Sequence, residues 1–321
     1  MELSTTTLAG FRSAQPSVVT PGNQDGVHLG HRALLAAARQ VASGEPGSLR
    51  VVAMTFDPHP MQFVAPERAP GLLTEPARRA ELLRAFGADE VVFKRFDASF
   101  AALTPDQFVE QALVQELGAR AVVVGEDFRF GAGRAGDVPA LHRFGKALGF
   151  RVVDVPKLVL DGEAISSSRI REALINGNVE LAARMLGRAH DVTRRVVQGH
   201  QRGRTIGIPT ANLELSGTLL PADGVYAVVA RVMDDDDATP HLGVANLGTR
   251  PTVAAGRSVE VHLLDFARDI YGRELRVGFV ARIRAEQRFT GLPELKVQIE
   301  SDIAAARAAI AQAEPGLLTW I

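Results

Sequence analysis

The chain has 321 residues, and at roughly 150 residues per domain that length implies two domains, each able to bury a core of its own. A hydrophobic fraction of 46%, a charged fraction of 23% and a formal net charge of −1 are those of an ordinary soluble globular protein, and they give no field to gather nucleic acid or an anionic membrane. Without cysteine there is no disulfide framework, no thiolate metal site and no cysteine nucleophile. The opening MELSTTTLAG lacks the basic start and apolar run of a secretory signal, and no apolar stretch reaches the ~18 residues of a membrane span, so a cytoplasmic location is expected.

In chain order, SVVT, LRVVAMTF, ADEVVFKRF, ARAVVVG and FRVVDV read as strands, and their nearly continuous apolar character implies burial on both faces. Between them GHRALLAAARQVA, TEPARRAELLRAFG, TPDQFVEQALVQELG and DVPALHRFGKALG have helical spacing. In the third, Thr104 is an expected N-cap, with Pro105 at the first helical position and Gln107 closing a capping box. Strands alternating with helices imply an α/β domain, a parallel sheet doubly wound by helices. SSSRIREALING and NVELAARMLG follow as helices stopped by Gly177 and Gly187.

Beyond Gly187 the texture changes to VTRRVVQG, PTANLEL, GVYAVVARVM, HLGVANLG, VEVHLLDF and RELRVGFVARIRA, short strands split by Gly, Pro, Asn and Asp. So many short strands must hide their edges, which suggests a small β-barrel. Asp234 to Asp237 reads as a hydrated hairpin tip, and Leu292 to Ala313 as a final helix packed on the barrel. The expected domains are therefore 1–186 and 187–321.

Lysine occurs only at Lys94, Lys146, Lys157 and Lys296, none of them in GxxxxGK[ST], so a P-loop enzyme is excluded. Gly131, Gly133 and Gly136 fit a dinucleotide fingerprint with Asp154 at a plausible distance for a ribose carboxylate, but EDFRF separates them from the preceding strand, where a tight turn is required. That segment reads instead as a loop over a site. The stretch GNQDGVHLGH stands where the first strand turns into a helix, so His28 and His31 fall in or beside a first turn whose free N–H groups favour an anion. Three apart, they share a side of the helix, and Gly30 between them lets a ligand approach the backbone. Two imidazoles there suit the charge that builds on a triphosphate attacked at its α-phosphorus.

The pattern HxGH of His28, Gly30 and His31, followed by ISSSRIR at Ile165 to Arg171, resembles the two signatures of the nucleotidyltransferase superfamily. TFDPHP (Thr55 to Pro60), GEDFRFG (Gly125 to Gly131), PTAN (Pro209 to Asn212), GVYAV (Gly224 to Val228), GVANLGTRPT (Gly243 to Thr252) and EVHLLDF (Glu260 to Phe266) narrow it. Together they resemble the bacterial bifunctional riboflavin kinase/FAD synthetase family over nearly the whole chain. The resemblance implies a Rossmann-like N-terminal domain that transfers AMP from ATP to FMN, releasing pyrophosphate, and a C-terminal barrel that phosphorylates riboflavin with ATP and Mg²⁺. These small molecules are the expected partners, with no nucleic acid and no membrane.

By the motif match His28 and His31 hold the ATP phosphates, Ser166, Ser167 and Arg171 grip them, and Asn23, Gly30, His59 and Asp127 line the nucleotide pocket. Ser166 or Ser168 reads equally well as a plain N-cap. In the barrel, Thr210 and Asn212 of an extended PTAN point to one side and offer neutral oxygens to Mg²⁺. Glu260 alternates with Val259 and Val261 and is the expected general base on the ribityl hydroxyl. Gly203 and Arg204 belong to a glycine-rich flap over the nucleotide; His200 reads as a surface residue. Gln24 stands where the family has phenylalanine, Pro21 where an aliphatic is usual, and Ala189-His190 replaces Pro-Tyr. The first two fall in the adenylylation site, which keeps two alternatives open: a kinase with a weakened or inactive adenylylation module, and a flavin- or nucleotide-binding regulator without turnover.

Overall fold

The computed structural model describes residues 15–45, 47, 49–199, 207–215, 217–233, 239–249 and 257–321. Its contacts divide the chain into two units, 1–70 with 74–165, and 71–73 with 166–321.

In the first unit β1 (Ser17–Pro21), β2 (Arg50–Phe56), β3 (Glu90–Lys94), β4 (Ala119–Gly125) and β5 (Arg151–Val155) form a parallel sheet ordered β3-β2-β1-β4-β5. Around it run α1 (Leu29–Gly44), α2 (Pro60–Val64), α3 (Pro76–Ala85), α4 (Ala98–Ala101), α5 and α6 (Val138–Leu148); α5 opens over Pro105–Gln107 and widens into π-type turns over Phe108–Glu116. The expected capping box is formed: Gln107 N donates to Thr104 Oγ1 at 3.4 Å and Thr104 N to Gln107 Oε1 at 3.0 Å. Successive strand residues face opposite sides, so Val18, Ala53 and Val123 pack with Leu35, Leu82 and Leu83 on one face. Val19, Met54 and Val122 pack with Phe108, Leu113 and Leu141 on the other. That is the physical reason for the unbroken apolar runs; each such side chain contributes about 1.5–3 kcal/mol on burial.

One feature lies outside the sequence expectation. β6 (Val159–Leu160) and β7 (Glu163–Ala164) make a hairpin too short to leave an alternating pattern, although Asp161-Gly162, at φ 56° and 82°, is the turn signal that marks it. The glycine segment 131–136 is a loop rather than the entry to a long helix, as expected, with one 3-10 turn at Ala132–Arg134; Phe130 and Gly136 exchange backbone bonds of 3.2 and 2.9 Å, and the α6 N-cap is Asp137. A Cβ on Gly131 would meet Pro105 N at 2.7 Å and one on Gly136 the Phe130 ring at 2.6 Å, so these glycines serve close packing.

The second unit begins with α7 (Ser167–Ile175) and α8 (Val179–Leu186), each followed by a glycine with positive φ, Gly177 at 76° and Gly187 at 66°. Then β8 (His190–Val197), β9 (Ala211–Leu213), β10 (Gly224–Val232), β11 (His241–Thr249), β12 (Arg257–Leu263) and β13 (Glu274–Arg284) close an antiparallel barrel in the order β10-β11-β12-β9-β8-β13. α9 (Leu292–Gln312) lays Ala306 and Ile310 on Val225, Ala227 and Val229, and α10 (Pro315–Leu318) ends the chain.

The contact division falls at Ile165/Ser166, whereas the change of sequence texture put the boundary at 186/187. The cause is packing: Arg282 N on β13 donates to Glu180 Oε1 at 3.0 Å, and Ala222 N donates to Leu174 O at 2.9 Å. Both helices therefore fold against the barrel, a tertiary preference that helical periodicity does not encode. The Asp234–Asp237 tip, His200, Gly203 and Arg204 lie outside the described residues.

Candidate active sites

In an open α/β sheet ligands settle beyond the carboxyl ends of the strands where the order reverses, which here is between β1 and β4. The β1–α1 turn delivers Asn23, His28 and His31 to that position, and the turn after β4 delivers Asp127. His28 is the N-cap of α1, its Nδ1 accepting from His31 N at 3.3 Å. A ring nitrogen that accepts carries no proton, so the His28 proton lies on Nε2. The two rings stack at 3.6 Å with 17° between planes. A Cβ on Gly30 would stand 3.0 Å from His28 Cε1, so glycine is what lets the ring occupy this place.

Burial holds the His31 imidazole well below its usual pKa of 6.5, assisted by His28 and by the positive charge of Arg79. It is a neutral ring at physiological pH. Thr20 Oγ1, Asn23 Oδ1, Gln24 Oε1 and His31 Nδ1 are buried without a hydrogen-bond partner among the described residues. Four orphaned polar atoms between the end of β1 and the first turn of α1 are costly unless a ligand satisfies them. Gln24, in the position of the family phenylalanine, is itself buried at φ 50° with Nε2 donating to Thr20 O at 3.0 Å.

His59 repeats the device of His28: it caps α2, its Nδ1 accepting from Met61 N at 3.1 Å, and it follows the cis Asp57–Pro58 bond. Asp127 is exposed and pairs with Lys157 Nζ at 2.8 Å, a contact that raises the lysine pKa. Arg79 and Thr55, which the sequence reading did not single out, lie beneath this turn. Arg79 Nη1 donates to Thr55 Oγ1 and Phe56 O, both at 3.1 Å, and to Asn23 O at 3.3 Å.

Ser166, Ser167 and Arg171 fall in the second unit, at the start of α7. Ser166 Oγ accepts from Arg169 N at 3.2 Å, the capping alternative that the sequence left open. Arg171 Nε donates to Gly71 O at 2.7 Å.

In the barrel the pairing of β9 with β12 sets Asn212 directly opposite Glu260. Thr210 Oγ1 donates to Glu260 Oε2 at 3.5 Å, so the three expected kinase residues meet. A Cβ on Gly199 would lie 2.2 Å from Asn212 Nδ2, so glycine backbone closes the cradle on one side. Two neutral oxygens beside a carboxylate fit Mg²⁺, which keeps waters and substrate phosphates in its shell rather than an all-protein cage. Thr210 also borders a pocket of about 400 Å³ walled by Val196, Val261, Leu263, Phe266 and Tyr271. His262 on β12 contacts Pro209 O through Nδ1 at 2.7 Å, tying the PTAN segment to the strand.

Residues 11–169 match the FAD synthetase family and residues 186–310 the riboflavin kinase family. A bifunctional riboflavin kinase/FMN adenylyltransferase from Escherichia coli K12 is 45% identical over 291 residues, covering 90% of this chain and 91% of the relative. The chain belongs to this bifunctional family. The relative of the same description from Pseudomonas fluorescens is 42% identical over 94% of this chain and 96% of its own. A solved structure titled a macrolide-efflux protein, from Streptococcus pneumoniae, superposes with a TM-score of 0.83 at 32% identity, covering 93% of this chain and 96% of that one. Among the described residues no helix is long and apolar enough to cross a membrane. The Rossmann-like sheet and the barrel with its terminal helix are those expected of this family, and the family membership read from the motifs holds along the chain.

Proposed function

We propose that this chain phosphorylates riboflavin to FMN and adenylylates FMN to FAD, both from ATP. In the first reaction the ribityl hydroxyl attacks the γ-phosphorus, Glu260 accepts the hydroxyl proton and ADP leaves; a positioned carboxylate contributes roughly 10²- to 10⁴-fold. Thr210 and Asn212 would hold Mg²⁺, which when bound supplies neutralisation of the phosphate charge. The pocket beside Thr210 is of a size to receive the nucleotide. The meeting of Thr210, just ahead of β9, with Asn212 on β9 and Glu260 on the adjacent β12 is the observation that carries this assignment.

In the second reaction an FMN phosphate oxygen attacks the α-phosphorus of ATP and pyrophosphate leaves. The nucleophile is already anionic, so no base is required; placement and charge stabilisation do the work. The orphaned atoms around His28 and His31 support this role, with Asn23, Gly30, His59 and Asp127 around the nucleotide and His28 Nε2–H as a donor to phosphate. Ser166, Ser167 and Arg171, and Gly203 and Arg204 of the kinase flap, are assigned to phosphate by motif match alone. We place the adenylylation chemistry in 1–186, the kinase in 187–321, and the enzyme in the cytoplasm, where its nucleotide substrate is abundant.

The full chain incubated with riboflavin, Mg²⁺ and ATP should yield FMN and FAD on chromatography. Glu260→Ala should abolish FMN formation and spare conversion of added FMN to FAD, and His28→Ala with His31→Ala the reverse. Loss of both steps in either variant with the fold intact would refute the division of labour. FMN as sole product would leave the kinase alone, the outcome that buried Gln24 would explain; unchanged riboflavin would leave a binding protein.

A further inference from the structure

Arg79 is only 1% exposed, one of the largest fully buried side chains in the protein, yet it carries a permanent charge. It rises from the first turn of α3, where its own N–H donates to Glu75 O at 2.8 Å. Its guanidinium ties three separate segments: Asn23 O in the β1–α1 turn, Thr55 Oγ1 and Phe56 O at the end of β2, and Thr74 O, at 3.4 Å, ahead of α3. Thr55 Oγ1 in turn donates to Asn23 O at 2.7 Å. On the other side Thr74 N and Oγ1 donate to Asp25 Oδ1 at 2.9 and 3.1 Å, and Gly26 N donates to Thr74 Oγ1 at 3.1 Å. The backbone that presents Asn23 and leads into His28 is thus held from below by one buried cation.

Taking a guanidinium out of water costs several kcal/mol, so shape alone is a poor reason to keep one here. A fixed positive charge beneath an anion site has a different use: in a water-poor environment it favours the bound anion without rearranging when the anion arrives. Its field already reaches the His31 ring, where it acts together with burial and His28 against protonation. We propose that Arg79 is a positioning residue of the adenylylation site, fixing the Asn23 turn and supplying from beneath the positive potential that draws in the triphosphate. His31 is then a neutral hydrogen-bonding group, and the cation stands behind it. This inference rests on the adenylylation reading of the first unit and extends it to a residue that does not touch the ligand.

The test compares Arg79→Met and Arg79→Lys in the full chain, with chemical denaturation followed in the first unit as the measure of intact folding and riboflavin phosphorylation as the control for the second. Arg79→Met should raise the KM for ATP in FAD formation by roughly tenfold or more, as expected when a buried charge is removed, with riboflavin phosphorylation unchanged. It should also shift the His31 titration, followed by NMR, up toward the ordinary imidazole range. Arg79→Lys should recover most of the KM and keep His31 low, which a purely steric role would not do. Equal impairment in both variants, or an Arg79→Met variant whose KM and His31 titration match the parent, would overturn the proposal. Tripolyphosphate, followed at the His31 ring signals, separates this from failure of the adenylylation reading. A parent chain that makes no FAD sinks that reading, while weaker tripolyphosphate binding in Arg79→Met, restored in Arg79→Lys, would still support the buried charge; equal binding in all three would sink it.

Discussion

Gly30→Ala isolates the position of the His28 ring from the stability of the helix that carries it. The new Cβ would stand 3.0 Å from His28 Cε1 and 3.1 Å from Nδ1. Carbon contacts settle near 3.5–4.0 Å, so the ring must retreat by roughly half an ångström to one ångström. It cannot do so without lengthening the 3.3 Å cap bond to His31 N or sliding off the ring stacked at 3.6 Å. Loss of the cap costs about 1 kcal/mol, whereas alanine in place of glycine returns up to about 1 kcal/mol of helix propensity. The two nearly cancel, and the melting temperature should stay within about 4 °C of the parent. FAD formation should not: displacement of a positioning group by about 1 Å costs on the order of 10²-fold, so a loss of roughly tenfold or more in kcat/KM is expected. The assay is conversion of FMN and ATP to FAD, with riboflavin phosphorylation in the same preparation as control. Unaltered FAD formation at unaltered stability would refute the claim that the ring must sit where it does.

Two further outcomes follow from the same geometry. Gly199→Ala, whose Cβ would lie 2.2 Å from Asn212 Nδ2, should displace the Asn212 amide and weaken riboflavin phosphorylation by roughly tenfold or more; a titration of activity with Mg²⁺ should show a higher requirement, with FAD formation from added FMN unchanged. The lowered His31 pKa also predicts a pH dependence of folding stability. The unfolded chain binds a proton near pH 6.5 while the folded ring resists it, so this contribution is intact above 6.5 and is lost as the pH falls from there toward the lowered folded value. Chemical denaturation followed in the first unit should lose stability below pH 6.5, and His31→Gln should flatten that part of the curve.

What the sequence discloses is whatever repeats or punctuates. Unbroken apolar runs locate the parallel strands because both their faces are buried, period-3.6 patterns locate the long helices because each buries one side, and the Thr104 box and Gly187 mark helix ends because orphaned backbone groups demand particular residues. The kinase cluster is legible too: alternation in VEVHLLDF fixes the side of Glu260, and PTAN supplies its neighbours. Arg79 is hidden for the opposite reason. PARRAELLRA places two adjacent arginines in a helix, and both Arg78 and Arg79 are buried, at 6% and 1% exposure, where charge ordinarily marks a solvated face. The roles of His28 and His59 as caps through Nδ1 are likewise invisible, since imidazole is not a customary capping group and only the backbone angles reveal it. The affiliation of α7 and α8 with the barrel depends on Arg282 and Glu180, partners about a hundred positions apart.

The ring closure of the barrel has a consequence for how this enzyme can vary. A sheet with free ends can relieve a one-residue slip at its margin, but β12 and β9 are each flanked on both sides, and a slip would reverse which side Glu260 faces. The pairing of Glu260 with Asn212, the residues proposed to accept the proton and to hold Mg²⁺, is therefore a property of the closed hydrogen-bond circuit rather than of any local segment. Insertions and deletions in the connections between strands leave that circuit unbroken, whereas one within β9 or β12 would shift the pairing itself.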